Sequence, residues 1–204
     1  MKRIITISRQ FGSGGRTIAK QLGEKLDIPC YDNEFLMESA KQSGFSENYI
    51  KNESEYAQGG FLAATFYSKE TSLTNQDKLW IIQRNIILDL AEKGSCIIVG
   101  RCADFILRDK AKCLNVFIHA SMEKRAERII HVYGEREESP EQRLKDKDKR
   151  RASYYRFYTD TKWGEAKNYH VALDSGELGI PYCVDVLAGI TEKFFNTEQG
   201  GVQA

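Results

Sequence analysis

The segment from Ile4 to Leu26, IITISRQFGSGGRTIAKQLGEKL, constrains this chain more than any other. A β-branched run from Ile4 to Ser8 reads as a strand and passes into a turn holding Gly12, Gly14 and Gly15. Ile18, Leu22 and Leu26 then recur four apart, on one helical face. Strand, glycine-rich turn and helix in that order make a phosphate-binding loop. Glycines let the backbone come close to a phosphate, and the N–H groups of the helix's first turn point at it. On this reading Gly12, Ser13, Gly14, Gly15, Arg16 and Thr17 form the cradle, and the Thr17 hydroxyl is placed to reach a phosphate-bound Mg²⁺.

The usual loop pattern, G-x-x-x-x-G-K-[ST], carries a lysine. Here the slot after Gly14 holds Gly15, and the first cation of the helix is Arg16. Where the pattern begins with glycine, the chain has Arg9 or Gln10. Arginine grips phosphate through two parallel N–H bonds and stays charged, so Arg16 is the candidate to replace the lysine. Two other readings compete. The dinucleotide pattern G-x-G-x-x-G fits Gly12 and Gly14, with Asp32 twenty residues on, but Thr17 stands where its third glycine belongs. A turn that binds nothing is the other, and two arginines flanking three glycines weigh against it.

Further β-branched or apolar runs at Ile28–Tyr31, Cys96–Val99, Leu114–Ile118 and His170–Leu173 read as strands covered on both faces. Helical patterns alternate with them. They run over Thr17–Leu26, Leu79–Lys93, from a Ser121 cap to Tyr133, from the SPEQ box at Ser139–Gln142 onward, and from Pro181 towards Phe194. Alternation of this kind predicts an open parallel α/β sheet, whose ligands sit beyond the carboxyl ends of the strands. Residues 1–196 read as a single domain followed by a frayed tail, 197–204. The polar stretch 44–78 is too long for a plain loop and reads as a helical insertion with Gly59-Gly60 as hinge.

Composition removes several function classes. Lys+Arg 30 against Asp+Glu 29 leaves +1, so no bulk field points to nucleic acid or membrane. No apolar run approaches a membrane span or a signal peptide. Five cysteines without a C-x-x-C pair, beside three scattered histidines, argue against a zinc site and for a reducing, cytoplasmic setting. No catalytic triad or paired-carboxylate constellation is visible.

The segments ISRQFGSGGRTIA, YDNE, IIVGRCADFIL, VFIHASMEKRAERI, DKDKRRASYYRFYT and NYHVALDSGELGI together resemble the cytidylate kinase-like family, a branch of the P-loop nucleoside monophosphate kinases. The resemblance spans nearly the whole chain. It implies a five-stranded parallel sheet flanked by helices, with an acceptor-binding insertion and a lid at about 135–168. It also implies ATP and Mg²⁺ as cofactors and a small nucleotide, CMP or dCMP first, as phosphate acceptor. Carried over by position, Gly12 to Thr17 cradle the ATP phosphates, and Asp32 and Arg101 lie on the acceptor side. Lys147, Asp148 and Arg151 fall where the lid brings cations to the transferring group.

Two departures qualify that reading. The loop lysine is absent, and Cys102 stands where the family has an aspartate after the arginine, leaving Asp104 as the nearest acid. The residues also carry plainer readings. Asp32, a candidate to order Mg²⁺-bound water or to hold the acceptor, can instead cap a helix starting at Asn33. Arg101 can pair internally with Asp104. KDKDKRR at Lys145–Arg151 can be a solvated face with Asp146–Arg150 paired. Arg125 and Arg128 face either the lid or solvent. The aromatic and basic segment after Arg151 would also suit stacking on single-stranded RNA. The expectation is an ATP-dependent phosphotransferase, with a nucleotide-sensing module as the alternative.

Overall fold

The computed structural model describes residues 2–42 and 75–196. The proposed insertion, apart from its last few residues, and the tail lie outside the described residues.

Five strands form one parallel sheet in the order β2-β3-β1-β4-β5. They are β1 (Ile4–Arg9), β2 (Cys30–Tyr31), β3 (Cys96–Val99), β4 (Cys113–His119) and β5 (Val171–Asp174). Side chains alternate across the sheet, as the two-residue period requires. Ile5, Ile7, Ile97, Val99, Leu114, Val116 and Ile118 pack on one face with α1 (Gly15–Leu26) and the last helix, α7 (Ile180–Asn196). Ile4, Cys96, Ile98 and Cys113 pack on the other with α3 (Asn75–Lys93) and the short α4 (Ala103–Ile106). Burial on both faces explains why these strands read as continuous apolar runs. Each fully buried isoleucine contributes about 2 kcal/mol.

Strand β4 extends one residue beyond its apolar run at each end. Cys113 is in register with Ile4, and His119 with Asp174. Where β1 meets β4, the buried Thr6 hydroxyl donates to the half-buried Asn115 side chain at 2.7 Å and is satisfied inside the sheet.

The remaining helices are α2 (Asn33–Gln42), α5 (Met122–Tyr133) and α6 (Pro140–Thr159). Ser121 caps α5 by accepting the Lys124 N–H at 3.3 Å, and Gly134 ends it at φ +72°. Ser139 caps α6 by accepting the Gln142 N–H at 3.2 Å. Only half of the expected capping box forms, because the Gln142 amide turns to Asp146 at 3.0 Å. That contact leaves Asp146 serving the helix surface while Arg150 lines a cavity. All five cysteines are free thiols, and four are buried.

Candidate active site

The loop between β1 and α1 is held from three sides. Gly12 and Gly14 have φ of +77° and +75°, and Gly14 caps α1 without any side-chain bond to the helix. The first N–H groups of α1 therefore face outward with no side-chain capping bond from Gly14. The buried Ser13 hydroxyl donates to the Gln10 carbonyl at 2.9 Å, and the Ser13 carbonyl accepts from the Ser175 hydroxyl. Arg128 donates to the Gly12 carbonyl at 3.0 Å and to the Ser175 carbonyl at 3.2 Å. Arg128 thus ties the loop to the end of β5.

Arg125 is buried, and its guanidinium contacts the Ala120 carbonyl, the Phe11 carbonyl and Asp148. Neither helix arginine is a solvated surface residue. One pins α6, and the other pins the glycine loop.

Two cavities open at the carboxyl edge of the sheet. The loop cavity, 280 Å³, is lined by Gly12, Gly14, Gly15, Arg16 and Thr17, with Asp32 and Glu34 across from them. The second, 250 Å³, lies under α6 beside the ends of β1 and β3. Its charged lining is Arg9, Arg101, Lys147, Arg150 and Arg151, with no carboxylate among the described residues. Tyr154, Tyr155 and Trp163 supply aromatic walls. Arg9, Phe11, Asn33 and Arg151 belong to both cavities.

Each residue singled out in the sequence now has a place. Arg16 does not stand free above the loop. Its Nε lies 2.7 Å from Asp32 Oδ2, and its two terminal nitrogens grip the Glu34 carboxylate, one of them at 2.8 Å. Those partners, Glu34 foremost, raise the guanidinium's pKa further. Two carboxylates already neutralise the cation that was expected to replace the lysine.

Asp32 takes the capping role that the sequence allowed and adds an ion pair. Oδ1 caps α2 through the N–H groups of Glu34 and Phe35, at 3.0 and 3.2 Å, and Oδ2 faces Arg16. Thr17 lines the loop cavity and is exposed. Thr17 is thus the hydroxyl here that could meet a phosphate-bound Mg²⁺, whereas Asp32 is committed to Arg16 and the α2 cap. The described residues hold no cluster of acidic, histidine or cysteine side chains able to bind a metal by themselves.

Arg101 sits in a run of three left-handed residues, Gly100, Arg101 and Cys102, with φ of +76°, +53° and +56°. Non-glycine residues rarely adopt this conformation, and it concentrates at functional sites. Arg101 donates to the Asn33 side chain and stacks over the Tyr154 ring at 5.2 Å. Its partners are thus neutral or aromatic, and the alternative of an internal pair with Asp104 is not what forms. Asp104 turns away from the cavity and accepts the Tyr155 hydroxyl at 2.7 Å. Burial raises its carboxyl pKa.

Lys147 and Arg151 line the second cavity, and Arg151 donates to the Arg9 carbonyl at 3.0 Å. The basic run is therefore a mixed face: Lys145, Lys147 and Lys149 are exposed, Lys147 at the cavity's rim, while Arg150 and Arg151 are half-buried in its lining. Sequence reasoning missed Arg9, Asn33 and Tyr155. Arg9 had a signal, because it occupies the place where the loop pattern has its first glycine.

The fold and the site can now be set beside known proteins. The model of the cytidylate kinase-like family matches residues 4–177. A crystal structure of an uncharacterized protein from Eubacterium ventriosum ATCC 27560 is similar at 29% identity, covering 94% of this chain and 99% of its own, with a TM-score of 0.72. A gluconokinase from Sinorhizobium meliloti 1021 shares the fold at 18% identity and TM-score 0.58, with 96% and 97% covered. A shikimate kinase from Bacteroides thetaiotaomicron does so at 17% and 0.53, with 94% and 99% covered. No curated protein matches the sequence. The five-stranded parallel sheet, the glycine loop before α1 and a family match over most of the length agree, and the chain belongs to the cytidylate kinase-like family.

Proposed function

We propose that this protein is an ATP-dependent phosphotransferase that moves the γ-phosphoryl group to a nucleoside monophosphate, with CMP or dCMP favoured by family. One observation carries the reading. A glycine-loop cavity suited to polyphosphate and a carboxylate-free cationic cavity share a wall made by Arg9 and Arg151. Phosphoryl transfer needs donor and acceptor in line and cations around the spreading charge, with little covalent help from the protein.

ATP with Mg²⁺ supplies the activated phosphoryl group. Gly12, Gly14 and Gly15 allow close backbone approach, the first turn of α1 offers N–H groups, and Thr17 offers its hydroxyl to the metal. Arg101 and Lys147 bind the acceptor phosphate, with Arg151 at the boundary. Arg16 and Asp32 hold α2 against the loop, and Asp104 supports the acceptor wall through Tyr155. An acceptor oxygen bonds to the γ-phosphorus as the bond to the ADP oxygen breaks.

The acceptor cavity's lining contains neither histidine nor carboxylate, so among the described residues no general base faces the acceptor. A phosphate acceptor already presents an anionic oxygen and needs none, whereas a sugar hydroxyl must lose a proton. This favours a nucleotide over a hydroxyl acceptor.

The test is an acceptor screen with Mg·ATP, nucleoside monophosphates and phosphorylatable alcohols, read by ADP formation. ADP made only with CMP or dCMP is the expected result. ADP made only with an alcohol would discard the nucleotide acceptor. ATP binding with silence across the panel would leave a sensor of nucleotide rather than a kinase.

A further inference from the structure

The loop lacks its lysine, and Arg16, the obvious substitute, is held by two carboxylates. Another cation is built into the same place. The Arg9 side chain leaves the end of β1 directly over Gly15. A Cβ placed on Gly15 would stand 2.6 Å from Arg9 Cβ and 3.0 Å from its Cγ. The chain then crosses towards β3, where a Cβ on Gly100 would meet Arg9 Nη1 at 2.1 Å. Two glycines, one in the phosphate loop and one at the acceptor strand, thus clear a track for one arginine.

Among the described residues the half-buried Arg9 side chain makes no ion pair or hydrogen bond of its own. Desolvation first, then the nearby Arg151, Arg101 and Arg16, lower its pKa well below the usual value, and the Asp32 charge offsets them only in part. An arginine kept charged under such conditions calls for an anion.

Resting on the reading of this loop as the donor site, we propose that Arg9 is the catalytic cation, contacting the phosphate chain at the shared wall in the role usually filled by lysine. The pattern's first glycine and its lysine have exchanged character. Position 9 carries the charge, and position 15 carries the missing side chain. Arg9 reaches the same phosphates from β1 rather than from α1, and its position between the cavities sets it beside the group in transfer.

The experiment uses the full chain, Mg²⁺ and inorganic tripolyphosphate in a calorimetric titration, so that it needs no acceptor. Arg9→Gln should weaken binding by about 30-fold, the loss expected for a charge-assisted contact. Lys25→Gln, which removes an equal charge at an exposed ion pair with Asp185, should leave it unchanged. Equal binding by wild type and Arg9→Gln overturns the assignment and leaves the kinase reading standing. Binding that depends on Arg9, with no acceptor ever phosphorylated, supports the assignment and removes the kinase. A wild type that does not bind the probe overturns the assignment. The double change Arg9→Gly with Gly15→Lys, which restores the pattern's first glycine and its lysine, should bind about tenfold more tightly than Arg9→Gly alone. Failure of that rescue in a folded double variant counts against the exchange.

Discussion

The carboxylate of Asp148, in α6, accepts the backbone N–H of Phe11 at 2.7 Å and the Arg125 guanidinium at 2.6 Å through its other oxygen. A single α6 residue therefore holds the glycine loop and the helix behind it. Leu144, one turn earlier on α6, seals the same joint by packing on Ala126 and Ile129.

Removing that carboxylate strands a buried cation, since the Arg125 side chain is 6% exposed. Asp148→Ala should cost about 3 kcal/mol of stability. The check is a urea titration, with limited proteolysis across 135–165. An unchanged midpoint would mean that α6 is held by its apolar contacts alone.

Gly12 is restricted twice over. Its φ is +77°, and an added Cβ would come within 2.9 Å of Ile129 and 3.1 Å of the Arg125 carbonyl. Gly12→Ala should destabilise the chain by about 2 kcal/mol and abolish nucleotide-dependent gains in melting temperature. Thermal melts with and without Mg·ATP decide it.

Arg101 should separate acceptor from donor. Arg101→Gln is expected to raise the acceptor KM by about tenfold while the ATP KM stays near wild type. Steady-state kinetics varying each substrate in turn measure the split. A rise confined to the ATP KM would move Arg101 to the donor side.

Asp104 titrates against stability. Burial raises its folded-state pKa, so the folded chain holds the proton more tightly than the unfolded chain does. That contribution is complete below the ordinary carboxylate range and is lost as pH rises through the raised value. Asp104→Asn keeps an acceptor for Tyr155 without the buried charge. It should raise Tm by roughly 3 °C at pH 7, and the gain should fade in acid below the ordinary carboxylate range. An Asn variant less stable at pH 7 would show that the charged bond to Tyr155 outweighs desolvation.

Strand positions were legible because burial on both faces leaves an apolar signature that survives without partners. β3 was found to the residue, and β1 and β4 to within one at each end. The caps at Ser121 and Ser139 were legible because a hydroxyl three residues before its donor is a local geometry. Side-chain direction was not legible. Arg16 and Arg9 flank the same glycines, and no letter shows that one turns to Asp32 and Glu34 while the other crosses to Gly100. Those outcomes depend on β3 lying beside β1 and β2 beside β3, which is a long-range fact. Asp104 was misjudged for the same reason, since Tyr155 lies 51 residues away in sequence. Arg125 and Arg128 were undecidable until α6 and the end of β5 were placed against them.

Because Arg9 and Arg151 belong to both cavities, the two chambers meet at a common partition. Ligands seated on either side would touch through their phosphates, with their remaining parts pointing away from one another. A single compound carrying two such halves, joined tail to tail by a polyphosphate bridge, would gain the avidity of both without a second loss of translational freedom. The bridge length that binds most tightly would serve as a molecular ruler for the thickness of that partition.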